Sequence, residues 1–219
     1  MPTSTVEQYV KTLYSIYRGQ SGSVVQMKEL AERMGVSPGT ATAMVKHLSQ
    51  LGLLEYYPRK GTALTDVGQQ LALRMLRRHR LIETFLERFL GYDWSEVHRD
   101  AEELEHVVSD RFVERIDALL GYPAVDPHGD PIPTEEGSIE TATMLPLDQV
   151  EENHEFEIAR ITRDDSDFLT LLKERGLVPG ERFVLTEKNR TAGTITVRAK
   201  HQDNECTLGY ELGGKILVK

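Results

Sequence analysis

Residues 75–106 read MLRRHRLIETFLERFLGYDWSEVHRDAEELEH. His79 and Glu83 stand four apart, and His98, Glu102, Glu105 and His106 follow at intervals of four, three and one. Helical side chains three or four residues apart share a face. At about 100° per residue, positions 98, 102, 105 and 106 fall within a narrow arc of one helix. His79 and Glu83 make the same kind of pair on a preceding helix. Imidazole and carboxylate are ligands of divalent first-row metals, and two helices can close such a site between them. A Glu/His-rich helix face can also be a solvated salt network. Three features favour metal. Three of the seven histidines fall in the 28 residues from 79 to 106. Val97, Ala101, Leu104 and Val108 place an apolar stripe one position away, so the candidates border a buried seam. Glu83, Glu102 and Glu105 would repel one another with no cation between them.

Composition narrows the class. A chain of 219 residues with 39% hydrophobic and 28% charged residues is ordinary for a soluble protein. No apolar run approaches a membrane span, and MPTSTVEQYV lacks the basic-then-apolar pattern of a signal peptide. The single Cys206 excludes internal disulfides and a cysteine-based zinc site. The expected compartment is the cytoplasm, with no membrane partner. The net charge of −9 is unevenly spread. Residues 1–75 carry eight Lys/Arg against five Asp/Glu, whereas residues 76–219 carry 18 against 30. A mildly basic N-terminal third on an acidic body suits a DNA-reading module.

Upstream of the His/Glu stretch, the pattern is helical. Ser4-Thr5-Val6-Glu7 reads as a capping box opening a helix over 4–18. A short helix over 26–34, a turn at Gly35-Val36, and a third helix capped by Ser37 with Pro38 at its first position make a helix-turn-helix. Two short β-type runs within 53–64 flank Pro58-Arg59-Lys60-Gly61, a basic turn that reads as a wing. Arg59 and Lys60 would touch phosphates there. Thr65-Asp66 caps a long helix stopped by Gly91. Ser95 is expected to cap the next helix, running to about Leu120, with a possible break near Ser109. Its stripe of Val97, Leu104, Val108, Phe112, Ile116 and Leu119 exceeds what a monomer core needs and reads as a dimer seam, unless it packs on the C-terminal domain.

Downstream, residues 121–141 hold four of the nine prolines and read as a linker. Its Asp126 and His128 are further possible ligands, each more simply a surface loop residue. Alternating runs at Phe156–Thr162, Arg182–Glu187, Thr194–Lys200, Cys206–Tyr210 and Lys215–Lys219, with one helix at Asp167–Arg175, suggest a small SH3-like β-barrel. The fold class is therefore α+β. Residues 1–74 are expected to form a winged helix-turn-helix, 75–141 an all-α dimerisation and metal-binding domain with its Pro-rich linker, and 142–219 the barrel.

EQYVKTLY (7–14), LRRHRLIETFL (76–86), VHRDAEELEHVVSD (97–110) and DPHGDPIP (126–133) resemble the diphtheria toxin repressor family of metal-dependent transcriptional regulators, in its three-domain form with a FeoA-like third domain. The resemblance spans nearly the whole chain. It implies that His79, Glu83 and His98 form an ancillary metal site, and that Glu102, Glu105 and His106 form the activating one, with a further ligand from the position of Gln8. Relatives that use the DPHG-type loop would add Asp126 and His128. Others complete the ancillary site from the barrel, where this chain has Arg160 and Arg163 with Asp164 and Asp165 close by. Iron-responsive members carry Cys at the position of Glu102 and manganese-responsive members carry Glu. Carboxylate is harder than thiolate, so Mn²⁺ is favoured, with Fe²⁺ the alternative and Zn²⁺, Co²⁺ or Cd²⁺ able to substitute in vitro. The chain departs from the manganese branch at Gln8 and Lys11, where acidic residues are usual. On the DNA side, Ala43 replaces a base-reading Gln, leaving Ser37, Pro38, Thr40 and Thr42 for reading and Lys46 for phosphate.

The implied function is a repressor that binds a palindromic double-stranded operator as a homodimer, with the divalent ion as co-repressor and no catalytic residues. Metal would join the DNA-binding domain to the dimer core, and without it the clustered carboxylates would repel. Three other classes compete. One is an Fe²⁺-responsive or metal-insensitive winged-helix regulator. A second is a hydrolytic metalloenzyme, for which neither an H-E-x-x-H motif nor a nucleophile constellation is present. The third is an accessory protein of iron uptake, which the helix-turn-helix argues against.

Overall fold

Thr3, not Ser4, starts the first helix. In the computed structural model, which describes residues 3–19, 24–140, 142–163, 165–200 and 205–219, Thr3 Oγ1 accepts from Val6 N at 3.4 Å and Thr3 O from Glu7 N at 3.1 Å. The expected capping box is therefore one residue out of phase. Helix α1 (Ser4–Gly19) already contains Ser4 and Glu7, so the Glu7 carboxylate has another task. Of the Gly19-Gln20-Ser21-Gly22 stretch expected to end this helix, Gly19 is its last residue and the other three lie outside the described residues.

Helices α2 (Met27–Arg33) and α3 (Pro38–Gln50) follow as expected. Ser37 Oγ accepts from Thr40 N at 3.1 Å, and Pro38, which has no N–H to satisfy, takes the first turn. Leu30, Ala31, Ala41, Val45 and Leu48 are buried. Strands β1 (Leu54–Tyr57) and β2 (Gly61–Leu64) form the antiparallel wing, with Tyr57 opposite Gly61. Val25 bridges to Thr62 as a third, one-residue strand. A Cβ on Gly61 would stand 2.1 Å from Val25 O, and its φ is +137°, so only glycine fits this approach. Helix α4 (Asp66–Leu90) starts where Thr65 Oγ1 accepts from Gly68 N at 3.1 Å.

The stretch from 95 to 120 is two helices. Ser95 does not cap the first, because its N and Oγ both donate to Asp93 Oδ1 in the preceding turn, at 3.0 and 2.7 Å. Helix α5 spans Val97–Leu104. Ser109 Oγ then accepts from Phe112 N at 3.2 Å and opens α6 (Asp110–Leu120), which ends at Gly121 with φ +73°. The break places Glu105 and His106 on the turn after α5, so the single helical arc read from spacing stops at Glu102.

The chain divides into two compact units. The first holds residues 1–79 together with 105–107 and 133–138; the second holds 80–104, 108–132 and 139–219. Helix α4 passes from one to the other between His79 and Arg80.

The second unit has two apolar clusters. Leu81, Ile82 and Leu86 of α4 pack with Val97 and Ala101 of α5, Val113, Ile116 and Leu120 of α6, and Ile132. The other cluster fills the barrel. Its six antiparallel strands are β3 (Leu145–Pro146), β4 (Glu155–Ile161), β5 (Arg182–Asn189), β6 (Thr194–Ala199), β7 (Glu205–Gly209) and β8 (Ile216–Val218), in the order β3-β8-β4-β5-β6-β7. Helix α7 (Ser166–Glu174) lies between β4 and β5 in sequence, and a one-turn α8 (Tyr210–Gly213) between β7 and β8. The alternation of buried Phe156, Ile158, Phe183, Leu185, Ile195, Val197, Ile216 and Val218 accounts for four of the five strands read from the sequence, and the fifth, β7, buries Leu208. The two-residue β3 was missed, because two residues carry no period. Trp94 belongs to this cluster although it precedes α5.

Candidate metal centre and nucleic-acid interface

In the first unit, α1 presents two charged side chains to the 105–106 turn. His106 Nδ1 donates to Glu7 Oε2 at 2.8 Å. Lys11 Nζ donates to both oxygens of Glu105, at 2.7 and 2.9 Å. His79 Nδ1 lies 2.6 Å from Glu105 Oε2 and 3.3 Å from Lys11 Nζ. Glu105 is fully buried. A carboxylate can only accept, so the bond to Glu7 assigns the Nδ1 proton of His106 and leaves its Nε2 as a lone-pair donor. That Nε2 is 3.6 Å from Glu105 Oε1. One nitrogen and one oxygen at this separation can serve one ion. Glu7 would then be the partner that orients this imidazole. Sequence reading missed Glu7 by treating it as a capping residue. The available signal was its position one residue before Gln8, which sits half-buried on the same helix. The expected repulsion also needs correction at Glu105, whose charge is compensated by Lys11.

In the second unit, Glu83, Asp126 and His128 are all buried and bring ligand atoms within 4.8 Å of one another. His98 Nδ1 is 3.2 Å from Glu83 Oε1. Glu102 is half-buried on the last turn of α5. The 126–132 loop is built by its own backbone. Asp126 Oδ1 accepts from His128 N at 2.8 Å and Asp130 N at 2.9 Å, while Asp126 N donates to Asp130 O at 3.0 Å. His128 Nε2 donates to Trp94 O at 2.9 Å, so Nδ1 carries the lone pair. Burial first, and then the nearby charges of Glu83 and Asp130, hold the Asp126 carboxyl well above its usual range despite Arg80 at 3.5 Å. Two carboxylates and an imidazole crowded in a buried place form a donor set that suits a divalent first-row ion. Asp126 and His128, only weak candidates as isolated residues, are thus brought together with Glu83.

Among the described residues, the barrel side contributes no ligand here. Arg160 is paired with Asp130 at 2.5 Å, and Asp130 also takes Arg80 at 2.9 Å. Arg163 pairs with Asp165 and lies over the Phe168 ring, and Asp165 caps α7. Asp164 lies outside the described residues. The strand β4 register shifts between Ile158 and Arg160, and the 126–132 loop docks at that bulge. Ile161 N donates to His128 O at 2.9 Å. A Cβ on Gly129 would fall 2.0 Å from Ala159 O, so the loop reaches this position only with glycine.

On the elements expected to meet DNA, Pro38, Thr40, Ala43, Lys46, His47, Arg59 and Lys60 are exposed. Three hydroxyls expected to read bases are already engaged by the chain itself. Ser37 and Thr40 hydroxyls lie 2.8 Å apart in the cap, and Thr42 Oγ1 donates to Pro38 O at 2.7 Å. Lys46 Nζ lies 5.8 Å over the Tyr56 ring. His47, one turn beyond Ala43, was not singled out by sequence. Arg59 sits at the wing tip with φ 65°.

Three family models match: "Iron dependent repressor, N-terminal DNA binding domain" at residues 1–62, "Iron dependent repressor, metal binding and dimerisation domain" at 65–134, and "FeoA domain" at 145–219. A solved structure described as a manganese-dependent transcriptional repressor in complex with manganese is 39% identical, with a TM-score of 0.86 over 97% of this chain and 98% of that one. The chain belongs to the diphtheria toxin repressor family of metal-dependent transcriptional regulators. The iron-dependent repressor IdeR of Mycobacterium tuberculosis (strain ATCC 25618 / H37Rv) is 28% identical over 98% of this chain and 96% of its own length. The regulator MntR of Lysinibacillus sphaericus (strain C3-41) is 32% identical over 55% of this chain and 84% of its own. These relatives are transcriptional regulators. Both iron-dependent and manganese-dependent repressors are similar to this chain, so family membership leaves the metal open. No helix among the described residues is long and apolar enough to cross a membrane.

Proposed function

We propose that this protein is a cytoplasmic repressor of metal homeostasis that binds a palindromic operator as a homodimer when loaded with Mn²⁺. Three functional segments serve this reading: 1–74 for DNA, 75–141 for metal and dimerisation, and 142–219 as the barrel. The observation that carries it lies in the first unit. The Glu105–His106 turn is packed on α1 of the winged helix through Glu7 and Lys11, so the ligand-bearing turn and the DNA-binding elements belong to one compact body.

Glu105 and His106 would hold the activating ion, with Glu102 and Gln8 as the further ligands the family implies. Glu83, His98, Asp126 and His128 would hold the ancillary ion, with His79 as a further donor. When bound, a divalent ion supplies charge neutralisation and fixed geometry, and no bond chemistry. The chain's own part is to pre-orient the donors and hold α1. A palindrome demands recognition helices about 34 Å apart, and any fixing of the winged helix that favours that spacing raises affinity. Leu104, Phe112 and Leu119 are exposed at 36%, 45% and 56%. They support the dimer seam, whereas Val97 and Ile116 of the same stripe are core. The carboxylate at Glu102 supports manganese over iron.

The test is a gel shift on the operator with and without Mn²⁺. Glu105→Ala and His106→Ala are each expected to abolish the metal-stimulated shift, and normal Mn²⁺-dependent shifts in both would remove the assignment.

A further inference from the structure

Glu105 is a buried carboxylate whose two oxygens are already held by one ammonium. Lys11 Nζ reaches them at 2.7 and 2.9 Å and also lies 3.3 Å from His79 Nδ1. A cation thus stands on the most buried ligand of the activating site, supplied by the chain. We propose that Lys11 is an internal counter-cation which a divalent ion must displace before Glu105 can ligate, and that it thereby sets the metal concentration at which the site fills. The proposal rests on the reading of Glu105 as a ligand. An ion bonded to either oxygen at about 2 Å would stand within about 5 Å of Nζ, and like charges at that distance in a buried setting oppose one another. The lysine stem can resolve the conflict. It has four rotatable carbons, and its side chain is 14% exposed where that of Glu105 is 0%, so the ammonium has a route to water. Lys11 lies one turn after Glu7, the partner of His106. The same helix therefore holds one ligand in place and withholds another.

The experiment is calorimetric titration of the metal-free full-length protein with MnCl₂, alongside its thermal melt. Lys11→Met is expected to bind Mn²⁺ at least tenfold more tightly than the parent and to melt at a lower temperature without metal. Lys11→Arg should stay near the parent in both. Lys11→Gln, which keeps a hydrogen bond without the charge, is titrated if the Met variant does not fold, with the same gain in affinity expected. A lower metal-free melt with unchanged or weaker Mn²⁺ binding would make Lys11 a structural clamp only and overturn the proposal. A parent that takes up no Mn²⁺ would overturn the metal-dependent reading beneath it.

Discussion

His128 Nε2 stands 2.9 Å from the carbonyl oxygen of Trp94. A carbonyl cannot donate, so this one bond assigns the tautomer and leaves Nδ1, 4.0 Å from Asp126 Oδ1, as the donor beside Glu83 and Asp126. The Trp94 ring stacks on the imidazole at 5.5 Å between centroids. His128→Ala is therefore expected to weaken the second-unit site at least tenfold and to remove about one bound Mn²⁺ per chain from a titration carried to saturation. Unchanged stoichiometry and affinity would show that the buried trio is only a polar cluster.

Arg59 and Lys60 sit exposed on the turn between β1 and β2. Their double replacement by Ala should weaken binding to operator and unrelated duplex alike. Each phosphate contact contributes about 0.9 to the slope of log K against log salt, so the slope should fall by about 1.8. A slope identical to the parent's would place the wing away from the backbone.

Glu102 bears on metal choice. Glu102→Cys exchanges a hard oxygen for a soft thiolate at the end of α5 and should shift preference from Mn²⁺ toward Fe²⁺ or Zn²⁺. Parallel titrations of DNA binding with the three ions would show it, and superimposable curves for variant and parent would withdraw the argument for manganese.

Asp93 joins the turn before α5 to Lys173 of α7. The Lys173 ammonium, and then the Ser95 amide, hold its carboxyl down at about 2 from 3.8. A depressed acid stabilises the folded state above its unfolded value, and that contribution is lost as pH falls through the folded one. Both side chains are partly exposed, so it is worth below about 1 kcal/mol, or a few degrees in a chain of this length. The melting difference between parent and Asp93→Asn should be present at pH 5 and close toward zero by pH 2. A difference independent of pH would mean the turn is held by other contacts.

Much of the architecture was legible because it rests on local rules. The Ser37-Pro38 start of α3, the Gly91 and Gly121 stops, and the period-two strands of the barrel all follow from a few neighbouring residues. The errors came where two local rules competed. Ser4-to-Glu7 fits a capping box, yet Thr3 takes the cap and frees Glu7 for His106. Ser95 has the chemistry of a cap, yet Asp93 captures its donors first.

By itself the sequence determined the helical spacing of His79 with Glu83 and of His98 with Glu102, the winged-helix order, and the family. Tertiary structure alone decided which donors meet. It turned Glu105 and His106 off the helix and onto α1, set Lys11 on Glu105, and folded the Asp126–His128 loop back beside Glu83. The reason is physical: periodicity reports which residues share a face of one element, whereas a charge buried between elements is governed by whichever partner, near or distant in sequence, the packing brings within hydrogen-bonding reach.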